Sequence, residues 1–163
     1  MLWGAALAVL PDSDAVGHWL GVPTRSLFGH RGLTHSLSFA VLVALFAALL
    51  LARRSGHPEL RGRLGLYFVL AMVSHGILDA CTNGGPGIAF FAPFSKARYF
   101  FPFRPIAVSP IGVEGVFGER GLRILASEAR WILLPSALLA AAATLLRWRG
   151  HERVKEHRPA KRS

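Results

Sequence analysis

Residues 64–80 read L-G-L-Y-F-V-L-A-M-V-S-H-G-I-L-D-A, and C-T-N-G-G follows at 81–85. This is an apolar run of helical length that carries a histidine and an aspartate in its last turns. His75 and Asp79 are four residues apart, so on a helix they share one face. An ionisable pair inside an apolar span is costly and reads by default as a functional site. An imidazole and a carboxylate at this spacing can hold one metal ion together. The bland alternative is a His–Asp hydrogen bond that satisfies two buried polar groups. The pair alone does not decide between them.

Composition narrows the class. The chain has 163 residues, one domain by length, with 52% hydrophobic residues and a mean hydropathy of +0.40. This composition argues against a soluble globular protein. The net charge is +10, yet eleven of the 19 Lys and Arg fall in two short segments, 53–63 and 147–163. Basic residues clustered at connectors and tails fit a membrane protein, not a nucleic-acid binder whose cations line one polar face. Cys81 is the only cysteine. There is no disulfide framework and no thiolate zinc cluster, so any metal must be held by His, Asp and Glu.

Working outward, three further apolar runs appear. Residues 1–10 are apolar and end at Pro11; ten residues rise only about 15 Å, so they read as part of a membrane helix. Pro11-Asp12-Ser13-Asp14 follows, ordinary turn chemistry whose carboxylates are also oxygen ligands. Residues 17–29 read as an interfacial loop with Trp19 and Phe28 as anchors. His30-Arg31-Gly32-Leu33-Thr34-His35-Ser36 leads into the uncharged run 37–52, with Thr34 or Ser36 as its cap. After 64–80, residues 87–123 are irregular, broken by Pro93, Pro102, Pro105 and Pro110, and mix aromatics with Lys96, Arg98 and Arg104. That mixture suits the headgroup layer. Glu128 and Arg130 open the last run, 131–146, before a basic tail.

Topology then gathers scattered residues. Four runs alternating in direction bring the end of the first, the start of the second, the end of the third and the start of the fourth to one membrane face. That face carries Asp12, Asp14, His30, His35, His75, Asp79 and Glu128. The two basic segments fall on the opposite face, which the positive-inside rule places in the cytoplasm. The polar cluster therefore faces outward. It holds more ligand-type side chains than one ion needs, which allows for two or three metals.

The motifs P-D-S-D at 11–14, H-R-G-L-T-H-S at 30–36, S-H-G-I-L-D-A-C-T-N-G-G at 74–85, the block at 93–112 and R-G-L-R-I-L-A-S-E-A-R-W at 120–131 resemble the YdjM/YbcI-type inner-membrane proteins. The resemblance runs nearly to Pro135. It implies a bacterial inner-membrane protein with metal-dependent hydrolase activity and, more distantly, a likeness to the all-helical zinc-dependent phospholipase C and P1-nuclease group, which hold zinc with His-x-x-x-Asp pairs. His75 and Asp79 match that pair; Asp12, Asp14, His30, His35 and Glu128 match the family's other polar motifs. Family members open with a Thr-His pair in a complete first helix, whereas this sequence opens at Met1-Leu2-Trp3. One ligand of the family pattern is thus expected to be missing.

The expectation is an all-α integral membrane bundle of about four helices with an irregular interfacial segment. Residues 1–147 form the membrane-embedded domain and 148–163 a basic cytoplasmic tail. Asp12, His30, His35, His75 and Asp79 are the metal ligands, with Asp14 or Glu128 as general base and Arg98 and Arg104 as a phosphate clamp. The ion is a divalent metal, zinc first, with manganese or iron as alternatives. The partner is membrane lipid, a phosphoester substrate at headgroup depth; nucleic acid is not expected, and no protein partner is indicated. The rival is a non-catalytic membrane protein whose cluster is a structural metal site or polar plug. Transport is disfavoured, because runs 37–52 and 131–146 lack charges in their bodies.

Overall fold

The computed structural model describes residues 2–109 and 118–156, with side chains to Arg149; Pro110 and tail residues 157–163 lie outside the described residues. The fold is all-α. Helix α1 (Leu2–Val9) and a tight 3₁₀ turn (Leu10–Asp14) lead into the short α2 (Ala15–Trp19). A second 3₁₀ turn (Leu33–His35) precedes α3 (Leu37–Arg54), and α4 (Arg61–Ala80) returns antiparallel to it. After the irregular stretch come α5 (Glu119–Glu128), a π-helical turn (Ala129–Leu133) and α6 (Leu134–Glu156).

Three of these helical stretches are long and apolar enough to cross a membrane: Leu37–Arg54, Pro58–Ala80 and Glu119–Arg149. The eight residues of α1 rise only about 12 Å; α1 lies against α4, where Tyr67 fills the space beside Gly4. The last helix begins at Glu119, earlier than the sequence pattern suggested. Gly118, with φ +109°, makes the turn, and Glu119 sits favourably in the positive first turn of the helix.

The α3–α4 pair is the core. Helix α3 buries Ala40, Ala44, Ala48 and Ala52, one every fourth residue, against Gly65, Phe68, Met72 and Gly76 of α4. In lipid there is no water to expel from between helices, so small residues and close van der Waals contact hold the pair. A Cβ at Gly65 would lie 3.1 Å from Leu45 Cδ2. Ser36 caps α3 by accepting from the Phe39 N–H at 3.1 Å.

Residues 82–106 close over the start of α3 and the end of α4. Leu37 N donates to Phe90 O, Phe101 N to Ala80 O, and Asn83 N to Ile106 O, each at 2.9 Å. Trp19, Phe28, Phe94 and Phe103 are exposed at this end, as aromatic residues in a headgroup layer are.

The packing makes a simple prediction. Ala44 is fully buried and Leu42 is 70% exposed. Ala44→Leu should cost about 1–3 kcal/mol by overpacking, read as a lower thermal midpoint in detergent. Leu42→Ala should stay within about 0.5 kcal/mol of wild type.

Candidate metal centre

Asp12 and Asp14 sit on the 3₁₀ turn Leu10–Asp14, which Pro11 opens. At 3.0 residues per turn, side chains two apart point in different directions. Asp12 faces a cavity and its side chain is 46% exposed; Asp14 turns inward and is 3% exposed.

Asp14 is saturated. Its carboxylate meets His30 Nδ1 at 2.7 Å and His35 Nδ1 at 3.1 Å, and accepts from the Arg31 N–H at 3.1 Å and the Thr34 hydroxyl. It therefore anchors the 30–35 loop and fixes the His35 ring with Nε2 outward. Metal-binding histidines are typically held this way, by a carboxylate on the other ring nitrogen.

On the far side of that ring four atoms converge. His35 Nε2 lies 3.4 Å from Asp12 Oδ1 and 3.3 Å from Asp79 Oδ2; His75 Nε2 lies 3.3 Å from Asp12 Oδ1 and 3.9 Å from Asp79 Oδ2. Among the described residues, His35 Nε2, His75 Nε2 and Asp79 Oδ2 are buried without a hydrogen-bond partner. These contacts are too poorly aligned to be hydrogen bonds. They match another geometry: ligands 2.0–2.1 Å from a tetrahedral ion are about 3.3 Å apart. The donor set of two imidazoles and two carboxylates suits zinc, and also manganese or iron. Asp14, His30 and His35 also cluster, but Asp14 is already hydrogen-bonded to His30, the Arg31 N–H and the Thr34 hydroxyl, so the geometry favours the cluster of Asp12, His35, His75 and Asp79.

Asp79 is held by Arg31. The Arg31 Nη2 donates to Asp79 Oδ1 at 3.2 Å, Nε lies 3.2 Å from Asp79 Oδ2, and Nη1 donates to Thr82 Oγ1 and the Gly84 carbonyl. Arg31 adopts φ +64°, rare for a residue with a side chain. Sequence reasoning missed it, since its partners lie about fifty positions away. A motif signal was present: an arginine between two candidate ligands, His30 and His35.

The remaining expected residues are placed as follows. Glu128 lines the same cavity, of about 530 Å³, as Asp12, His30, His75 and Asp79. Arg98 does not line it. Its guanidinium donates to the carbonyls of Thr24, Ser26, His30, Arg31 and Gly87 at 3.0–3.3 Å, stapling two loops together. Arg104 stacks over Phe100 at 4.9 Å, also away from the cavity lining.

Electrostatics follow from the crowding. Burial opposes the charge on Asp12 and on Asp14. It is outweighed by His35 and His75 at Asp12, and by His30, His35 and Thr34 at Asp14, so both carboxyls titrate well below the usual range. Burial alone would lower the pKa of His35; Asp12, Asp14 and Asp79 prevail and push it up to about 10.

The fold and this cluster define a polytopic membrane protein with a His/Asp cluster, able to hold a metal ion, at one end of its spans. A family model described as the YdjM inner membrane protein matches residues 1–154. The chain is 37% identical over 146 residues to inner membrane protein YbcI of Escherichia coli (strain K12), covering 90% of this chain and 82% of that one. The chain belongs to the YdjM inner membrane protein family. No solved structure matches it.

Two outcomes follow. A histidine whose folded pKa is raised adds stability that is complete below its unfolded value of 6.5 and is lost as pH rises through about 10; lowered carboxylates add stability above 3.8 that is lost on acidification. Metal-stripped protein should thus have its highest thermal midpoint between these two values. The midpoint should fall toward pH 10, and saturating zinc should flatten that fall. Separately, Arg31→Lys, which loses the two-point grip on Asp79, should weaken zinc affinity roughly 10–100-fold by competition with a chromogenic chelator.

Proposed function

We propose that this protein is a membrane-bound metal-dependent hydrolase that cleaves a phosphoester of lipid type at the outer face of the inner membrane. The observation that carries the reading is the convergence of His35 Nε2, His75 Nε2, Asp12 Oδ1 and Asp79 Oδ2 at ligand spacing beside an open cavity. Asp12, His35, His75 and Asp79 would hold the ion, while Asp14 orients His35 and Arg31 orients Asp79. A divalent metal bound there supplies a Lewis acid that polarises a phosphoryl oxygen and acidifies a water toward pKa 7. Glu128, which lines the same cavity, would accept the proton that an attacking water gives up. His30 borders the cavity with its Nδ1 committed to Asp14.

Orientation comes from charge. Arg53, Arg54, Arg61 and Arg63 lie at the end of the α3–α4 pair away from the cluster, and the tail from Arg147 continues the last span in the same direction. The positive-inside rule assigns that end, and the tail from residue 148, to the cytoplasm.

The count of four protein ligands favours a second reading, since closed four-ligand sites are structural. Metal content and turnover separate the two. Detergent-purified protein should carry about one zinc, manganese or iron per chain, measured by inductively coupled plasma mass spectrometry. His75→Ala and Asp79→Asn should both lose it. Glu128→Gln should keep the metal while hydrolysis of bis(p-nitrophenyl) phosphate falls about 10²-fold or more. Metal without turnover in wild type would leave the structural reading; no metal after zinc incubation would sink both.

A further inference from the structure

The cavity is larger and more apolar than an ion and a water require. A water takes about 30 Å³, against about 530 Å³ here. Its polar end is the ion cluster with Glu128. Ala15, Trp19, Leu78, Ile106 and Ile132 give it apolar walls, and Thr82 and Ser109 also line it. Each wall pairs a polar residue with an apolar neighbour. On the first turn and α2, Asp12 is followed by Ala15 and Trp19. On α4, Asp79 sits beside Leu78. On the last helix, Glu128 is followed one turn later by Ile132, across the π-helical turn Ala129–Leu133. On the last helix the apolar wall thus lies one turn deeper along the span than the polar residue.

Two of the walls belong to candidate membrane spans, α4 and Glu119–Arg149. In the protein itself, none of the most apolar window of Glu119–Arg149 is buried. That helix is tied to the bundle at its outer end, where the Ala107 N–H donates to Ser127 Oγ at 2.8 Å and Phe103 meets Trp131 edge-on at 5.5 Å. Below those ties Leu133, Leu134, Leu138 and Leu139 of the last helix are exposed in the protein itself.

We propose that the apolar half of the cavity is a groove for one acyl chain of a membrane phospholipid, which enters sideways from the bilayer between α4 and the last helix. The chain lies along Leu78 and Ile132 with Trp19 at the rim, and the phosphate end reaches the ion cluster. That the bound lipid is also the substrate rests on the hydrolase reading; the groove does not.

The test uses the full chain reconstituted in vesicles of phosphatidylethanolamine and phosphatidylglycerol, then released into detergent for native mass spectrometry. Wild type should retain one phospholipid through washing that strips loosely held lipid. Leu78→Trp and Ile132→Trp, tested separately, should each lower the retained lipid about tenfold, as a ring filling a chain-sized groove would. Leu139→Trp, on the 72% exposed side of α6, should retain lipid as wild type does. Circular dichroism of each variant separates loss of lipid from loss of fold. Equal retention in all three variants, or no retention by wild type, would overturn the groove. Cleavage of bis(p-nitrophenyl) phosphate without lipid retention would overturn the groove and leave the hydrolase. Retention lost in the two groove variants, with no cleavage by zinc-loaded wild type, would uphold the groove and overturn the hydrolase.

Discussion

His35 has no exposed side-chain surface, and carboxylates from Asp12, Asp14 and Asp79 lie within 3.4 Å of its ring nitrogens. Such a group of charges at the end of apolar helices survives only if they compensate one another. Counting the three carboxylates against Arg31 and a protonated His35 leaves one negative charge over. Replacing the His35 proton by a divalent cation brings the same cluster to neutrality. The charge count and the ligand spacing therefore favour the same occupant, and metal uptake must release a proton.

The apolar packing is what makes that crowding reachable. A run of alanines at every fourth position of α3 lets α4 approach closely, so the start of one helix and the end of the other arrive side by side. Gly76 continues the fit at the site itself: a Cβ there would meet the His35 carbonyl at 3.4 Å. A larger residue would push the His35 turn off α4, and with it the imidazole from His75 and Asp79. Arg98 does the corresponding work on the loop side, tying the His30–Arg31 backbone to the segment at residue 87 by donating to the carbonyls of all three residues.

Much of this was legible in the sequence because membrane topology is read from hydropathy. Alternating spans bring His35, His75 and Asp79 to one end whatever the loops do, and period-four placement sets His75 and Asp79 on one face. The parts that escaped depend on long-range contacts. Arg31 looks like a generic basic residue in sequence and Arg98 like half of a phosphate clamp; only the folded loops show that one grips Asp79 and the other five carbonyls. The early start of the last helix was masked by the proline-rich segment before it, although no proline falls between Pro110 and Pro135. The short α2 lies where glycine and proline density suggested only loop.

Asp12 and Asp14 show how far spacing alone can mislead. Two carboxylates separated by one residue invite reading as a joint ligand pair, or as a ligand beside a general base. On a 3₁₀ turn they diverge, so they cannot both face one ion. The inner one then accepts from His30, the Arg31 N–H and the Thr34 hydroxyl, with His35 against it. A saturated carboxylate is a poor base and a poor ligand, but a good anchor, because moving it would strand several buried donors at once. The outer one keeps an oxygen toward two unpartnered imidazole nitrogens and a face toward the cavity. The division of labour within P-D-S-D follows from turn geometry and from which side of the turn the 30–35 loop packs against.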